Sequence, residues 1–321
     1  MKRKRFTVLV LCLLMSVFVS SLIGCTNESA VGKDEKIVIG FSNNSDTPFL
    51  VILQEEVVKT CKEYGAECIV KSAANSSETQ LSDIESMIVQ NVDAIIMSPV
   101  DREACGVIVD AVKEAGIYLV EVNTFTNNED YDVYVGSPEE EAGSLQAQWL
   151  LDNVGTNGSC AIIQGLLGAS STAGRQRGFI DTLGIDINST DKDNWVVLDA
   201  LTANWDRAEA KKLTEDWLQL YADQLDAIIA HDDEMAMGAL SALEEAGLDD
   251  KIAVLGIDGM EESIQSIING GQAMTALQDG IAQGRTSVDI AMKLINGEKT
   301  EKIINIPFKL VDKNNAKEFL E

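Results

Sequence analysis

Ala94-Ile95-Ile96-Met97, four apolar residues in a row between Asp93 and Ser98-Pro99, is the stretch that decides the fold. A strand with one solvated face alternates apolar and polar side chains, whereas a strand apolar at every position is covered on both faces, as in a parallel sheet flanked by helices. Outward from this run the same grammar repeats. Upstream, 36–41 reads as a strand and 48–64 as a helix, with Leu53, Val57, Cys61 and Tyr64 along one face and Gly65 as its stop. A strand at 67–70 and a helix at 79–90 follow; downstream come a helix at 103–115 and a strand at 117–122. A second series opens at Ser137-Pro138-Glu139-Glu140, read as a capping box with proline at the first helical position of a helix running to about Asn153. Strands at 159–164, 195–200, 225–230, 252–257 and 273–277 then alternate with helices at 172–183, 204–222, 233–246, 260–269 and 280–295, and a terminal strand lies around 304–311. Strand and helix in alternation predict an α/β protein built on parallel sheets.

The stretch has an echo. Val92-Asp93-Ala94-Ile95-Ile96 returns as Leu225-Asp226-Ala227-Ile228-Ile229, and each copy leads into a helix ending Glu-Ala-Gly (114–116 and 245–247) and then another apolar strand. The first of those strands runs into Asn123 and the second into Asp258. Two similar lobes are expected, each a parallel sheet flanked by helices. Ligands of open parallel sheets sit at the carboxyl ends of the strands, so two lobes facing each other would set Asn123 and Asp258 on opposite walls of one cleft.

The 321 residues suit two domains, and 45% hydrophobic residues suit a packed one. With 25 Lys and Arg against 52 Asp and Glu, the formal charge is −27, which argues against nucleic acid, whose affinity rests on cations neutralising phosphates. One histidine leaves little room for histidine-based catalysis. At the N-terminus, Lys2-Arg3-Lys4-Arg5 precedes an apolar run over 6–19, too short to span a bilayer, and Leu22-Ile23-Gly24-Cys25 resembles a bacterial lipobox. The expectation is a signal peptide at 1–24, a lipidated Cys25, a tether at 25–35 and an exported body anchored to the outer face of the cell membrane. Removal of Cys12 and lipidation of Cys25 leave Cys61, Cys68, Cys105 and Cys160, none in a C-x-x-C or zinc-ligand spacing. Cys61 and Cys105 fall on apolar helical stripes and read as buried free thiols, while export also permits a disulfide. Asp186, Asn188, Asp191 and Asp193 resemble a calcium loop but lack its glycine and terminal glutamate, and read as a solvated turn. No cofactor and no metal are expected.

The segments just past the strands collect hydrogen-bonding groups: 42–48, 98–101, 123–124, 165–175, 201–205, 231–233, 258–259 and 278–279, with Phe49 and Trp205 among them. This suits a polyhydroxylated ligand. A sugar hydroxyl donates and accepts, so carboxylates take its proton while arginine and amides supply donors, and aromatic rings cover the C–H faces. The absence of a glycine-rich phosphate loop argues against a nucleotide.

Here a resemblance becomes specific. Asp232-Asp233-Glu234-Met235-Ala236-Met237-Gly238-Ala239 resembles the Asn-Asp-Glu-Met-Ala-x-Gly-Ala stretch of ribose- and galactose-type periplasmic binding proteins. Val254-Leu255-Gly256-Ile257-Asp258-Gly259 is similar to their Val-x-Gly-Phe-Asp-Gly strand end. Arg175-Gln176-Arg177-Gly178-Phe179 resembles their Arg-x-x-Gly-Phe helix, 203–207 their aromatic-Asp loop, and Pro48-Phe49 their Asn-Pro-Phe ligand aromatic. The similarity runs in order from about Lys36 to Asp312. It implies the type 1 two-lobed fold and ligand contacts from Phe49, Asn123, Thr124, Arg175, Trp205, Asp232, Asp258 and Gln278. It also implies three crossings between lobes, near 136–137, 278–279 and 307–308, hence lobes of 36–136 plus 279–307 and of 137–278 plus 308–321. Thr47 stands where ribose binders have Asn, Leu50 replaces a second Phe, Asn123-Thr124 replaces an Asp-Arg pair, and Asp232 replaces Asn. A site built to hydrogen-bond particular hydroxyls rejects analogues, so a sugar or polyol other than ribose is expected. Inositol, galactose, pentoses and a furanosyl signal all fit.

The function implied is a monomeric receptor that captures a monosaccharide or cyclic polyol by hinge closure and delivers it to the permease subunits of an ABC importer. Presentation of ligand to a chemoreceptor or histidine kinase uses the same chemistry. Asp232 and Asp258 as the paired carboxylates of a glycosidase form a third reading, opposed by Arg175, which lowers a carboxyl pKa that catalysis needs raised. Regulators of the lactose-repressor type share the fold, yet no basic helix-turn-helix precedes Lys36. Each residue also has a structural reading: Asp232 and Asp233 as helix caps, Arg175 as a solvated helix charge, Phe49 and Trp205 as core, Asp258 as a turn residue. His231 is assigned a structural role, pointing away from the ligand.

Overall fold

The computed structural model describes residues 36–320. The expected signal peptide, tether and lipidated Cys25 lie outside the described residues. From Ile37 onward the chain builds two six-stranded sheets. The first contains β1 (Val38–Asn43), β2 (Glu67–Ser72), β3 (Ala94–Met97), β4 (Tyr118–Val122), β5 (Val133–Gly136) and β11 (Ile303–Asn305), in the order β11-β5-β4-β3-β1-β2 and parallel throughout. The second contains β6 (Gly158–Gln164), β7 (Trp195–Thr202), β8 (Ala227–Ala230), β9 (Ala253–Asp258), β10 (Met274–Leu277) and β12 (Lys309–Asp312), in the order β12-β10-β9-β8-β6-β7. Only β12 is antiparallel there.

Alternate residues of the opening stretch enter different cores. Ala94 and Ile96 pack with Ile39, Phe41 and Val120 on one face of the first sheet; Ile95 and Met97 pack with Ile84, Val109 and Leu119 on the other. In the second sheet Ala227 and Ile229 divide from Ile228 and Ala230 in the same way. All eight are fully buried, and a fully buried isoleucine contributes about 1.5–3 kcal/mol relative to an exposed one. The echoed aspartates have matching work. Asp93 accepts the N–H of Val38 at the start of β1 (2.7 Å), and Asp226 accepts the N–H of Ser159 at the start of β6 (2.8 Å). Each ties the entry of a central strand to its neighbour, so the repeated Asp-Ala-Ile-Ile has a structural cause in both sheets.

The helices α1 (Pro48–Glu63), α2 (Ser77–Val89) and α3 (Gly106–Glu114) belong to the first half. Then α4 (Glu139–Asn153), α5 (Ser170–Leu183), α6 (Arg207–Tyr221), α7 (Asp233–Ala246) and α8 (Glu261–Asn269) flank the second sheet, and α9 (Gly280–Ile295) returns to pack on α1 and β4. The contact between α4 and α5 is unusually close: a Cβ on Gly143 would collide with the Arg175 carbonyl, and one on Gly178 with the Glu140 carbonyl. Glycine there lets two backbones touch.

Several elements depart from the reading of the sequence. The strand β5 follows a polar loop and is only four residues long, which hides it from periodicity. The single strand expected at 304–311 is two, divided at Pro307: the Ile306 N–H still bonds Gly136 in the first half (2.8 Å), while Phe308 enters the core of the second. The capping box does not form. Pro138 is the N-cap of α4 with no side-chain cap, and Ser137 instead takes a hydrogen bond from Gln283 (3.1 Å). The helix expected from 204 starts at Arg207, because Asp206 caps it by accepting the Glu209 N–H. Cys61, Cys68, Cys105 and Cys160 are free thiols, with Cys61 and Cys105 buried in the two cores of the first sheet. Residues Asp186 to Asp193 form exposed turns closed by their own side chains, and no group of ligands suited to a metal occurs among the described residues.

Candidate functional site

The carboxyl ends of both sets of strands face one narrow crevice with about 460 Å³ of space, the open solvent at its mouth included. All eight residues singled out in the sequence line it. From the first sheet come Phe49 at the start of α1, then Asn123 and Thr124 after β4. The second gives Arg175 from α5, Trp205 after β7, Asp232 after β8, Asp258 at the end of β9, and Gln278 after β10. Sequence reasoning named the segments but not the individual residues for Asn44, Ser45 and Ser171, and missed Asn75, just past β2, altogether; all four join the lining. The first wall therefore offers neutral amides and hydroxyls, and the second carries the charges.

Three of the eight have left-handed backbone: Asn123 (φ 65°), Trp205 (φ 66°) and Asp258 (φ 128°). Asparagine tolerates this conformation, but for a bulky residue it is an outlier, and each such strain costs about 1–3 kcal/mol. Backbone of this kind persists only where the surroundings fix it. The Trp205 ring lies against the backbone of Gly165, where a Cβ would collide with it, and the Asp258 carboxylate is held by Gln278 Nε2 (2.6 Å).

Arg175 is the centre of the charged wall. It is 3% exposed. Its Nε donates to Glu139 Oε2 (2.8 Å), one Nη donates to the His231 carbonyl, and the same nitrogen stands 4.0 Å from Asp258 Oδ1. The guanidinium carbon lies 5.7 Å from the Trp205 ring, a cation–π distance. Burial works against this cation, but Glu139, Asp258 and Asp232 more than offset it and hold the pKa above the usual arginine value. Glu139 was read only as part of a cap; it is in fact the buried counter-ion of Arg175. The one signal available was its place on α4 opposite the glycines of α5, which a capping interpretation obscured.

The neighbouring carboxyls are perturbed. Burial pushes Asp258 well above its ordinary value, with Asp232 and Asp233 adding repulsion against the pull of Arg175 and Gln278. Burial likewise raises Asp232, although its Oδ1 accepts the Met235 N–H at 2.8 Å and so caps α7. Capping and lining the crevice are thus both true of Asp232. Asp233 is raised by burial to about 6, yet faces away: it accepts from Gln272 (2.9 Å), Thr275 (3.1 Å) and the Met260 N–H (2.9 Å). His231 is buried and, through burial and then Arg175, held down to about 3 and so neutral; its Nδ1 accepts the Gly165 N–H and does not line the crevice.

At the back of the crevice a chain of amides links residues that follow strands of both sheets. Gln283 Nε2 donates to Ser137, Asn123 Nδ2 donates to both Gln283 and Gln278 (3.2 Å each), and Gln278 passes to Asp258. Gln283 is fully buried and was absent from the sequence reading. At the mouth, the Arg102 N–H donates to the Gly168 carbonyl (3.0 Å), the Phe125 N–H donates to Ser170 Oγ (3.1 Å), and Leu166 packs on the core of the first sheet. Loops of the two halves thus touch on both sides of the crevice.

Comparison with known proteins agrees with this geometry. A family model described as periplasmic binding protein domain matches residues 37–299. A protein of Rhizobium meliloti provisionally named as rhizopine-binding is 36% identical over 83% of this chain and 85% of its own. The ribose import binding protein of Bacillus subtilis is 30% identical, covering 87% and 88%. A solved structure of an ABC transporter solute binding protein from Bacillus halodurans C-125, with bound myo-inositol, superposes with a TM-score of 0.84 at 33% identity, covering 90% of this chain and 98% of that one. These relatives are binding proteins rather than enzymes. No helix among the described residues is long and apolar enough to cross a membrane. Two sheets of this order around one shared crevice, a family match across most of the chain and relatives of this similarity make the protein a member of the periplasmic binding protein family.

Proposed function

We propose that the protein is the lipid-anchored, extracytoplasmic receptor of an ABC importer, and that it captures a monosaccharide or cyclic polyol between its lobes. The observation that carries this reading is the convergence of Phe49, Asn123, Thr124, Arg175, Trp205, Asp232, Asp258 and Gln278 on one crevice from both sheets. A small ring bearing hydroxyls needs donors, acceptors and an apolar platform together, and this set holds all three. Myo-inositol in the Bacillus halodurans structure and ribose in the name of the Bacillus subtilis relative support a ligand of that size. Ligand touching both walls stabilises only the closed form, and the permease subunits would read that closed surface. Lipidation of Cys25, lobes of 36–136 plus 279–307 and of 137–278 plus 308–321, and action as a monomer complete the proposal.

A thermal-shift screen of monosaccharides and polyols tests it. A ligand at a hundred times its Kd adds about 2.7 kcal/mol, or roughly 5–10 °C at about 2–4 °C per kcal/mol. Alanine at Arg175 or Asp258 should remove that shift and leave the circular dichroism spectrum of the fold. A screen in which no sugar or polyol moves the melting temperature would overturn the reading.

A further inference from the structure

The turn from α1 into β2, away from the crevice, brings two cysteines together. Gly65 (φ 73°) ends the helix in a left-handed turn, and the Ala66 N–H donates to the Cys61 carbonyl (2.9 Å). The chain then reverses so that Cys68 stands in register with Ile39 of β1. Successive side chains of a strand point to opposite faces of the sheet. Ile69 accordingly packs on one core of the first sheet, whereas Cys68 and Val70 pack on the other, the core that holds Leu53, Val57 and the fully buried Cys61 of α1. There the Cys61 and Cys68 thiols hydrogen-bond each other.

The remaining thiols are out of reach. Cys105 lies in the core on the opposite face of the first sheet, with its S–H donated to Gln80 Oε1 (3.2 Å), and Cys160 lies in a core of the second sheet. Of the pairings open to these four cysteines, the fold permits one. From this juxtaposition we infer that Cys61 and Cys68 close a disulfide in the exported protein, stapling the end of α1 to β2. The staple has a clear structural use, because β2 is an edge strand with a neighbour on one side only.

The oxidant is a second disulfide, of a protein or a small thiol, which the extracytoplasmic placement proposed above makes available. Cys68 is partly exposed while Cys61 is not, so an incoming R–S–S–R meets Cys68 first. The Cys68 thiolate attacks one of its sulfurs, forming a mixed disulfide and releasing R–S⁻, which takes up the proton that Cys68 lost. Cys61 then attacks Cys68 Sγ, forms the internal bond and expels the second R–S⁻, which takes the Cys61 proton. Two protein thiols are oxidised to one disulfide, and one external disulfide is reduced to two R–SH.

Full-length protein, first reduced and then incubated with glutathione disulfide at pH 8, tests the inference. Trypsin cleaves after Lys59, Lys62 and Lys71, so the bond joins residues 60–62 to 63–71. Mass spectrometry should find this joined species as the main product of Cys61 and Cys68 in the native protein, and lose it on reduction. The oxidised protein should melt about 5 °C above the reduced one, as closure of the short loop 61–68 requires. Cys68→Ser should show neither the joined species nor the rise; if the variant does not fold, the wild-type results decide alone. Free Cys61 and Cys68 after oxidation, glutathione retained on Cys68 as the end product, or an oxidised protein that melts no higher would each overturn the inference. Because the test supplies the oxidant and uses no sugar, any of these results leaves the receptor reading standing.

Discussion

Replacing Glu139 is the sharpest probe of the site's internal balance. In Glu139→Ala the Arg175 guanidinium, 3% exposed, loses its 2.8 Å partner. Breaking a buried pair from one side costs about 3–5 kcal/mol. Asp258 Oδ1 at 4.0 Å offers some compensation, and the Glu139 side chain is not ideally placed, since its Oε1 has no hydrogen bond. The expected loss for Ala is therefore near the lower end, about 3 kcal/mol. Glu139→Gln keeps an oxygen facing Nε, and with it a bond from the charged guanidinium, but removes the opposite charge, so a smaller loss of about 1–2 kcal/mol is expected. Urea unfolding at pH 7 measures both, read as a shift in midpoint at constant m. In the double variant with Arg175→Met, the cost of removing Glu139 should shrink by more than 1 kcal/mol. If Glu139→Ala lies within 1 kcal/mol of wild type, or the two losses simply add, Glu139 is not the counter-ion that holds Arg175.

Gly168 has φ 96° and a Cβ there would collide with the Asp101 carboxylate, which is committed to the Glu103 and Ala104 N–H groups. Gly168→Ala should therefore favour the open form by about 1–2 kcal/mol, weakening ligand about tenfold and raising the radius of gyration of the free protein in X-ray scattering; an unchanged radius counts against the mouth contact. Burial raises the Glu121 carboxyl from its ordinary 4.5 to about 7, against the two bonds it accepts from Thr126. The folded state then holds this proton more tightly than the unfolded one, so its contribution is present below about pH 4.5 and lost as pH rises through 7, about 3 kcal/mol in all. Glu121→Gln should gain on wild type by about that amount between pH 5 and pH 8 in urea midpoints; a pH-independent difference would refute the assignment. Gly178→Ala forces α4 and α5 apart and should cost about 1–3 kcal/mol by calorimetry, and an unshifted transition would mean that the helices do not need their close approach.

Much of the architecture was legible because its causes are local. Unbroken apolar runs such as 94–97 declare a strand covered on both faces, and the echo at 225–229 declares a second sheet, each copy sitting at the equivalent position of its sheet. The lining was legible for a related reason: strand ends must face the crevice, so chemistry-bearing residues just past them converge. What sequence hid was long-range. Glu139 looked like a cap because its partner Arg175 is 36 residues away and the pairing depends on the glycine contact between helices. Gln283 sits mid-stripe in α9, and nothing in its neighbours announces bonds to Ser137 and Asn123. The strand break at Pro307 was visible as a proline, but that the chain changes sheets there is a property of the whole topology.

That last feature bears on how the chain is made. The first sheet lacks its edge strand β11, and helix α9 is missing from its face, until residues 280–305 have been synthesised. A nascent chain halted anywhere before then holds an unfinished first half with the apolar sides of α1 and β4 uncovered. Ordering of the first half is thereby coupled to the arrival of residues 280–305, and that of the second to β12 after them.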